Sequence, residues 1–388
     1  MKPLANVRVV DFGQLTAGAN TSAMLADLGA EVIKVESASF MDLFRSMGSN
    51  QRDAHGWWNR SPQFRFTNRN KVGVALDAKK PEGRRLLQDL MAGADIVVEN
   101  FRRGVMERLG LGYATIASRN PRIVFASISS QGETGPYRLH TSFGSTLEAM
   151  GGIAALTGYD NDKPVVSGPH VNYPDQVVSL FAAGIIIAAL REARRTGKGA
   201  HLDISQREVT SFLIGEEILA SSVDHKRSRL ARRGNAEDGV MLQDCFRTMD
   251  QKWIALTLED QADVERCLAI VGHSKNIRGR LVEWCMKRSA VEACDTLAAG
   301  GLAAGLVHNG TALSREHKLA GHTLVRRPNG EIVKGQPYSF GGQELKVNCD
   351  APALGEHTEL VLRNILGLDE TAIQHLAALG VTRAEPVT

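Results

Sequence analysis

An apolar run at residues 7–12 (VRVVDF), a glycine-bounded loop, a helical stretch at 20–28 and a second apolar run at 31–36 (EVIKVE) follow one another directly. Gly29 supplies the stop signal between helix and second run. Two strands joined through a helix in so short a span must run parallel, because a hairpin would place them antiparallel with only a turn between. This unit constrains the fold more than any other feature. It recurs: strands are predicted at 72–76, 95–98, 122–127 and 201–205. Between them, helices run from Pro81 to about 91, over 104–109 and over 176–195, the last ended by Thr196-Gly197-Lys198-Gly199. Alternating strands and helices predict an α/β, Rossmann-like, doubly wound sheet.

After residue 205 the pattern changes. Residues 225–233 (HKRSRLARR) are basic and read as a linker or exposed helix end. Residues 241–258 alternate like a hairpin, 289–306 are an Ala- and Gly-rich helix, and 352–379 are helical again. The expected organisation is a large ligand-binding domain at 1–224, a smaller α+β domain at 225–330, and a segment at 331–388 that returns to the large domain.

Formal charge over the 388 residues is +3, too even for a nucleic-acid binder. A small anionic ligand needs only a few local cations. The five cysteines form no C-x-x-C pair, which points to free thiols in a reducing compartment and away from structural zinc. The first residues carry no apolar signal region, and the apolar run at 177–190 is too short to span a bilayer. A cytoplasmic enzyme, with no membrane partner, is the expectation.

The loop from Gly13 to Gly18 follows the first strand, where doubly wound sheets bind ligands. It is not G-x-G-x-x-G. It has the spacing G-x-x-x-x-G, but Ala19-Asn20 stand where a phosphate loop needs Lys and Ser or Thr, so neither NAD binding nor NTP hydrolysis is supported. It is either a ligand loop or a turn that closes the unit. Residues 67–71 (TNRNK) and 99–104 (ENFRRG) join amides to cations, and the second adds an aromatic ring. They suit phosphate and adenine, or are simply solvated charge. Asp175, after Tyr173-Pro174, starts the long helix. It can cap the helix, and a carboxylate kept oriented and ionised by the helix dipole can also serve as a nucleophile. No second carboxylate is placed for glycosidase chemistry. His140, His170, His201, His308, His317, His322 and His357 are scattered, without H-E-x-x-H or G-x-S-x-G, so a metal or serine hydrolase is disfavoured.

Ordered blocks along nearly the whole chain resemble the class III CoA-transferase (CaiB/BaiF) family, which includes formyl-CoA transferase, carnitine CoA-transferase and α-methylacyl-CoA racemase. They are VVDFGQLTAG (9–18), LADLGAEVIKVE (25–36), NRNKVGVALD (68–77), ADIVVENFRRGVMERLGLGY (94–113), NPRIVFASISSQGETGPY (120–137), TGKGAHLDISQRE (196–208) and APALGEHTELVLRNILGL (351–368). The resemblance implies an interlocked homodimer, with the active site where large and small domains meet. It implies CoA contacts from Leu15, Thr16 and Ala17, from Lys71, from Asn100 and Phe101, and from Arg108. It makes Asp175 the catalytic aspartate. CoA and acyl-CoA are then substrates, a carboxylic acid is the partner substrate, and no tightly bound cofactor is expected.

The implied chemistry is CoA transfer through a mixed anhydride and an aspartyl-CoA thioester on Asp175. Three departures stand out. Thr16 and Ala19 replace the Gln and Pro of several relatives. Ser37 replaces an Arg on the CoA phosphates, for which Arg45 or Arg65 could compensate. Phe143-Gly144 replaces the His-Asp pair of the racemases and removes a carboxylate that some transferases place beside the nucleophile. An acyl-CoA racemase or isomerase therefore lacks its acid and base. A non-catalytic CoA-binding partner subunit is the third reading, against which Asp175 stands.

Overall fold

The structure, a computed structural model, describes residues 2–47, 55–159, 163–168, 171–223, 232–315, 323–326, 332–341, 343–344 and 347–386. It divides into two compact units. One comprises Met1–Ile153, Val166–Ala220 and His322–Thr388; the other comprises Ala154–Val165 and Ser221–Gly321. Most of the expected basic linker, residues 225–231, lies outside the described residues, as do His170, His317 and His322.

The first unit is built on a six-stranded sheet of β1 (Arg8–Asp11), β2 (Glu31–Glu36), β3 (Lys71–Ala75), β4 (Ile96–Glu99), β5 (Val124–Ser129) and β6 (Ala200–Ser205), in the order β3-β2-β1-β4-β5-β6. Every pairing is parallel. Both faces are covered, which explains the continuous apolar runs. Alternate residues enter opposite cores. Val9, Val32, Ile96 and Val98 face α1 (Ala17–Asp27) and the long Tyr173–Thr196 helix. Val10, Ile33, Val97 and Phe125 face the helices Pro81–Ala92, Thr358–Asn364 and Glu370–Ala378. The β3 edge is closed by the C-terminal segment: Gly73 N–H donates to His357 Nδ1 and Ala75 N–H to Thr358 Oγ1.

The long helix starts three residues earlier than its apolar pattern suggested. Asn172, in the left-handed region at φ 47°, occupies the N-cap position, and Asp175 sits inside the first turn. Asp175 is therefore not the cap residue. At 24 residues this helix is long and apolar enough to cross a membrane, which the 177–190 run did not suggest. In the fold, Val178, Ala182, Ile186 and Leu190 pack into the core of the sheet's face.

The second unit has an antiparallel sheet of β7 (Leu242–Arg247), β8 (Trp253–Leu258) and β9 (Ala303–Leu306) in that order. The hairpin is the expected one. Helices Gln261–Val271, Ile277–Cys285 and Ala290–Ala299 enclose a core that includes Phe246, Ile254, Leu281 and Leu297. The helix expected through 306 stops at Ala299. Gly300 caps it, Gly301 turns at φ +77°, and the following Ala-Ala-Gly-Leu pairs with β8. Its composition favours helix, and pairing overrides that preference. The helical stretch expected at 352–379 is likewise two short helices, parted around Gly367 at φ +71°.

Candidate active site

The strand order reverses direction between β1 and β4, and such a point opens a crevice at the strands' C-terminal ends. The loops leaving these two strands are tied together. Asn100 Oδ1 accepts from Gln14 N–H at 2.6 Å, while its Nδ2 donates to Gln14 O at 3.0 Å. The side chain thus acts as a backbone strand for the first loop. Gly13 and Gly18 let that loop close on itself: a Cβ on Gly13 would stand 2.4 Å from Gly18 C, and one on Gly18 2.7 Å from Asn100 Oδ1. Leu15 is held at φ +56° by a bond from its N–H to Asp42 Oδ1.

A buried charge network lies under the loop. Lys34 Nζ donates to Gly13 O and to Asp42 Oδ2, and Arg45 forms a two-point pair with Glu36. Burial opposes ionisation throughout this layer, and the paired charges overcome it: Lys34 stays above its ordinary pKa and Glu36 below. Lys34 and Asp42 fix the loop's backbone through Gly13 O and Leu15 N–H.

A cavity of about 330 Å³ opens beside the loop, with Leu15, Asn100, Phe101, Arg138, His140 and Asp175 in its lining. Asp175 reaches it from the first turn of the long helix. The residue is half-buried, and its Oδ2 is fully buried with no hydrogen-bond partner. Gly144 lies against it, where an added Cβ would stand 2.7 Å from Oδ2. Burial raises the Asp175 pKa to about 6, opposed by a backbone hydrogen bond and reinforced by the charge of Glu148. Desolvation is the largest of these effects, and a pKa of about 6 still leaves the group mostly ionised at neutral pH.

An adjoining cavity of about 410 Å³, largely apolar, runs along the ends of β2, β3 and β4. It shares Gln14, Phe40, Phe101 and Arg102 with the first. Phe40 and Phe101 meet edge to face, 5.9 Å between centroids, in the common wall. Glu99, buried at the end of β4, accepts from Phe101 N–H at 2.8 Å. Burial raises its pKa to about 7. An apolar slot beside a polar chamber with a desolvated carboxylate suits a ligand with a flat ring at one end and a reactive carbonyl at the other.

The family model described as CoA-transferase family III matches residues 4–358. The chain belongs to that family. It is 30% identical to succinyl-CoA–D-citramalate CoA-transferase of Chloroflexus aurantiacus, over 97% of each chain. It is 29% identical to succinyl-CoA:glutarate CoA-transferase of Mus musculus, over 98% of this chain and 90% of the other. It is 27% identical to the beta subunit of the Chloroflexus aurantiacus succinyl-CoA–L-malate CoA-transferase, over 96% of each chain. The crystal structure of a CaiB/BaiF family protein from Brucella suis superposes with a TM-score of 0.83 at 27% identity, covering 92% of this chain and 98% of that one.

In this CoA-transferase, the fold gathers Asp175, Leu15, Asn100 and Phe101 around one cavity. Ala17 is buried at the start of α1, and Thr16 faces a different cavity. Arg108 is exposed on the short Val105–Arg108 helix, whose Val105 lines the apolar cavity. Lys71 requires correction as a phosphate contact. Its Nζ donates to Asp11 Oδ2, Ala19 O and Asn68 Oδ1 at 2.7–2.9 Å, which uses all three hydrogens in the interior. It opens β3, whereas the crevice forms where strands end. Arg45 cannot replace the missing Arg at 37, because it is buried on Glu36. Arg65 pairs with Asp350 at 3.7 Å. The cations that line the apolar cavity beside Ser37 are Lys79 and Arg102. Lys79 was not singled out in the sequence, although it stands just past β3, where the strand-end rule points. Of the expected histidines, His140 alone among the described residues lines the Asp175 cavity.

Proposed function

We propose that the transferase moves CoA between dicarboxylic acids by covalent catalysis on Asp175. The observation that carries this reading is a desolvated carboxylate in the lining of the cavity, one of whose oxygens is buried against Gly144 without a hydrogen-bond partner. A pKa of about 6 leaves the group ionised at neutral pH yet poorly solvated, which favours attack on a thioester. Asp175 Oδ adds to the donor thioester carbonyl, the C–S bond breaks, and CoA thiolate and a mixed anhydride result. The thiolate adds to the aspartyl carbonyl and expels the donor acid as its carboxylate, leaving aspartyl-CoA. The acceptor carboxylate then attacks, and the mirror path returns CoA. Each step exchanges one anion for another, so no net proton is consumed and the thioester is conserved.

CoA fits with its adenine in the apolar cavity, its phosphates near Lys79, Arg102 and Arg108, and its thiol end past Phe101 toward Asp175. Relatives named for succinyl-CoA, citramalate, malate and glutarate support dicarboxylic donor and acceptor acids. A homodimer is supported by apolar side chains left in the open, Leu180 at 53% and Phe212 at 69% exposure. The five cysteines are unbridged, which suits a cytoplasmic setting.

The test is transfer from succinyl-CoA with Asp175→Asn alongside wild type, and hydroxylamine trapping of the wild-type intermediate. Loss of transfer with CoA binding retained, and a hydroxamate on the peptide holding Asp175, is the expected result. Transfer by Asp175→Asn, or a hydroxamate on another carboxylate, would overturn it. Deuterium exchange at the acyl α-carbon is the outcome that would favour a racemase instead.

A further inference from the structure

Each addition step of the transfer turns a carbonyl oxygen into an oxyanion, which needs a hydrogen-bond donor beside it. Hydroxyl groups in the lining of the Asp175 cavity belong to Ser129, Ser130, Thr141 and Ser142. They are not equivalent. Ser130 donates its hydrogen to His140 O at 3.0 Å. Ser129, buried at the end of β5, closes the turn there by accepting from Gly132 N–H at 2.8 Å. Thr141 is exposed.

Ser142 is oriented by a chain of one-way bonds. Arg207 Nε donates to Gln131 Oε1 at 3.0 Å, and a guanidinium only donates, so the amide oxygen must face Arg207. Nε2 then faces Ser142 and donates to its Oγ at 2.7 Å, with Met150 Sδ at 3.8 Å as a second contact. Gln131 is buried, so water cannot replace these partners freely. Ser142 Oγ therefore accepts from within the protein. Its own hydrogen has no acceptor among the described residues and is left for the cavity that the half-buried side chain lines.

The backbone brings this hydroxyl toward the nucleophile. An added Cβ on Gly144 would stand 2.7 Å from Asp175 Oδ2. Phe143, between Ser142 and Gly144, is extended at φ −113° and ψ 170°. Side chains on either side of an extended residue leave the chain on the same side, with their Cα atoms about 7 Å apart. Ser142 thus enters the cavity from the side on which Gly144 meets Asp175, with room for one carbonyl group between hydroxyl and carboxylate.

We propose that Ser142 is a further catalytic residue, which donates its O–H to the oxyanion formed when Asp175 adds to the acyl-CoA carbonyl, and that Gln131 and Arg207 are its positioning residues. The inference rests on the transfer reaction proposed above and supplies its oxyanion donor. As the bond from Asp175 to the carbonyl carbon forms, the carbonyl's second electron pair moves onto oxygen. The hydrogen bond holds that pair without transferring a proton. The pair returns as the C–S bond breaks and CoA leaves as thiolate. The bond is stronger to an oxyanion than to a carbonyl, so it acts on kcat rather than on binding.

Steady-state kinetics with succinyl-CoA test it on wild type, Ser142→Ala, Ser142→Thr, Gln131→Leu and Ser129→Ala, with CoA affinity by calorimetry and melting temperature measured on the same samples. Ser142→Ala should lower kcat by about 100-fold and leave KM, CoA affinity and melting temperature near those of wild type. Ser142→Thr keeps the hydroxyl and should recover most of the rate. Gln131→Leu frees the hydroxyl to turn and should lose part of it; if that variant misfolds, the two Ser142 variants decide. A kcat for Ser142→Ala within about threefold of wild type, a loss that Ser142→Thr does not recover, or a loss confined to Ser129→Ala would overturn the proposal. Hydroxylamine trapping on wild type keeps the two readings apart. No transfer and no hydroxamate at Asp175 would overturn the reaction and this donor with it. A hydroxamate at Asp175 beside an undiminished Ser142→Ala would overturn the donor alone.

Discussion

The Asp175 carboxylate rests against the bare Cα of Gly144, with Oδ2 2.7 Å from where a Cβ would be. Gly144→Ala must therefore move that oxygen. The atom that must move most is the end of a side chain, Asn172 Cα at 3.3 Å has to give only slightly, and Gly144 has no positive φ, so the fold loses little. The expected outcome is an unchanged melting temperature with kcat lowered by up to about 100-fold, the scale of a misplacement near 1 Å. Steady-state kinetics beside thermal denaturation measure both.

The raised pKa of Asp175 sets a pH profile. The ionised form attacks, so kcat/KM for acyl-CoA should fall as pH drops through about 6. Stability runs the other way. The folded state binds the proton more tightly than the unfolded chain, so stability is lost as pH rises from about 4 to about 6. Asp175→Asn should therefore be more stable than wild type at pH 7.5, by on the order of 2 kcal/mol, and no more stable at pH 3.5. Urea melts at the two pH values check this.

Lys71→Ala should act on stability, not selectively on CoA. It leaves Asp11 charged and buried without its partner, a change that costs about 3–5 kcal/mol. The denaturation midpoint should drop sharply. A stable variant whose only defect is weaker CoA binding would return Lys71 to the ligand site.

Glu99 holds Phe101 in place from behind the shared wall. Glu99→Ala frees that N–H and should raise KM for acyl-CoA several-fold with kcat nearly unchanged. Glu99→Gln keeps an acceptor and should be milder. Since burial raises its pKa to about 7, the carboxylate costs stability increasingly from about pH 4.5 to 7, and Glu99→Gln should stabilise the fold above pH 7. Kinetics and melts across that range decide.

Arg102 and Lys79, exposed at the apolar cavity, should anchor CoA phosphates. Arg102→Ala or Lys79→Ala should weaken CoA by about 1.5–3 kcal/mol, less at high salt. Calorimetry at two ionic strengths measures it.

Strand and helix identity in the first unit was legible because period and punctuation are local. Residues 31–36 form β2 as read, and Pro81 opens its helix. Failures came where a distant partner overrides composition. The Ala303–Leu306 strand exists only because β8 is beside it. The start of the long helix was misread because its first turn, Tyr173-Pro174-Asp175, carries little of the apolar period that marks the rest.

From the residues alone came the parallel sheet, the crevice at the ends of β1 and β4, and Asp175 at a helix start. Family motifs placed Asn100 and Phe101 beside it. Tertiary structure alone decided which cations are buried on partners and which stay open. Lys71 reads like any phosphate contact, yet its partner Asp11 lies 60 positions away and closes on it inside the core. Lys334 reads like surface charge, yet the fold sets it against Gln176, 158 positions away. Charge is written in the sequence. Whether water, a carboxylate or a cavity surrounds it depends on contacts between segments, and those are made only when the chain folds.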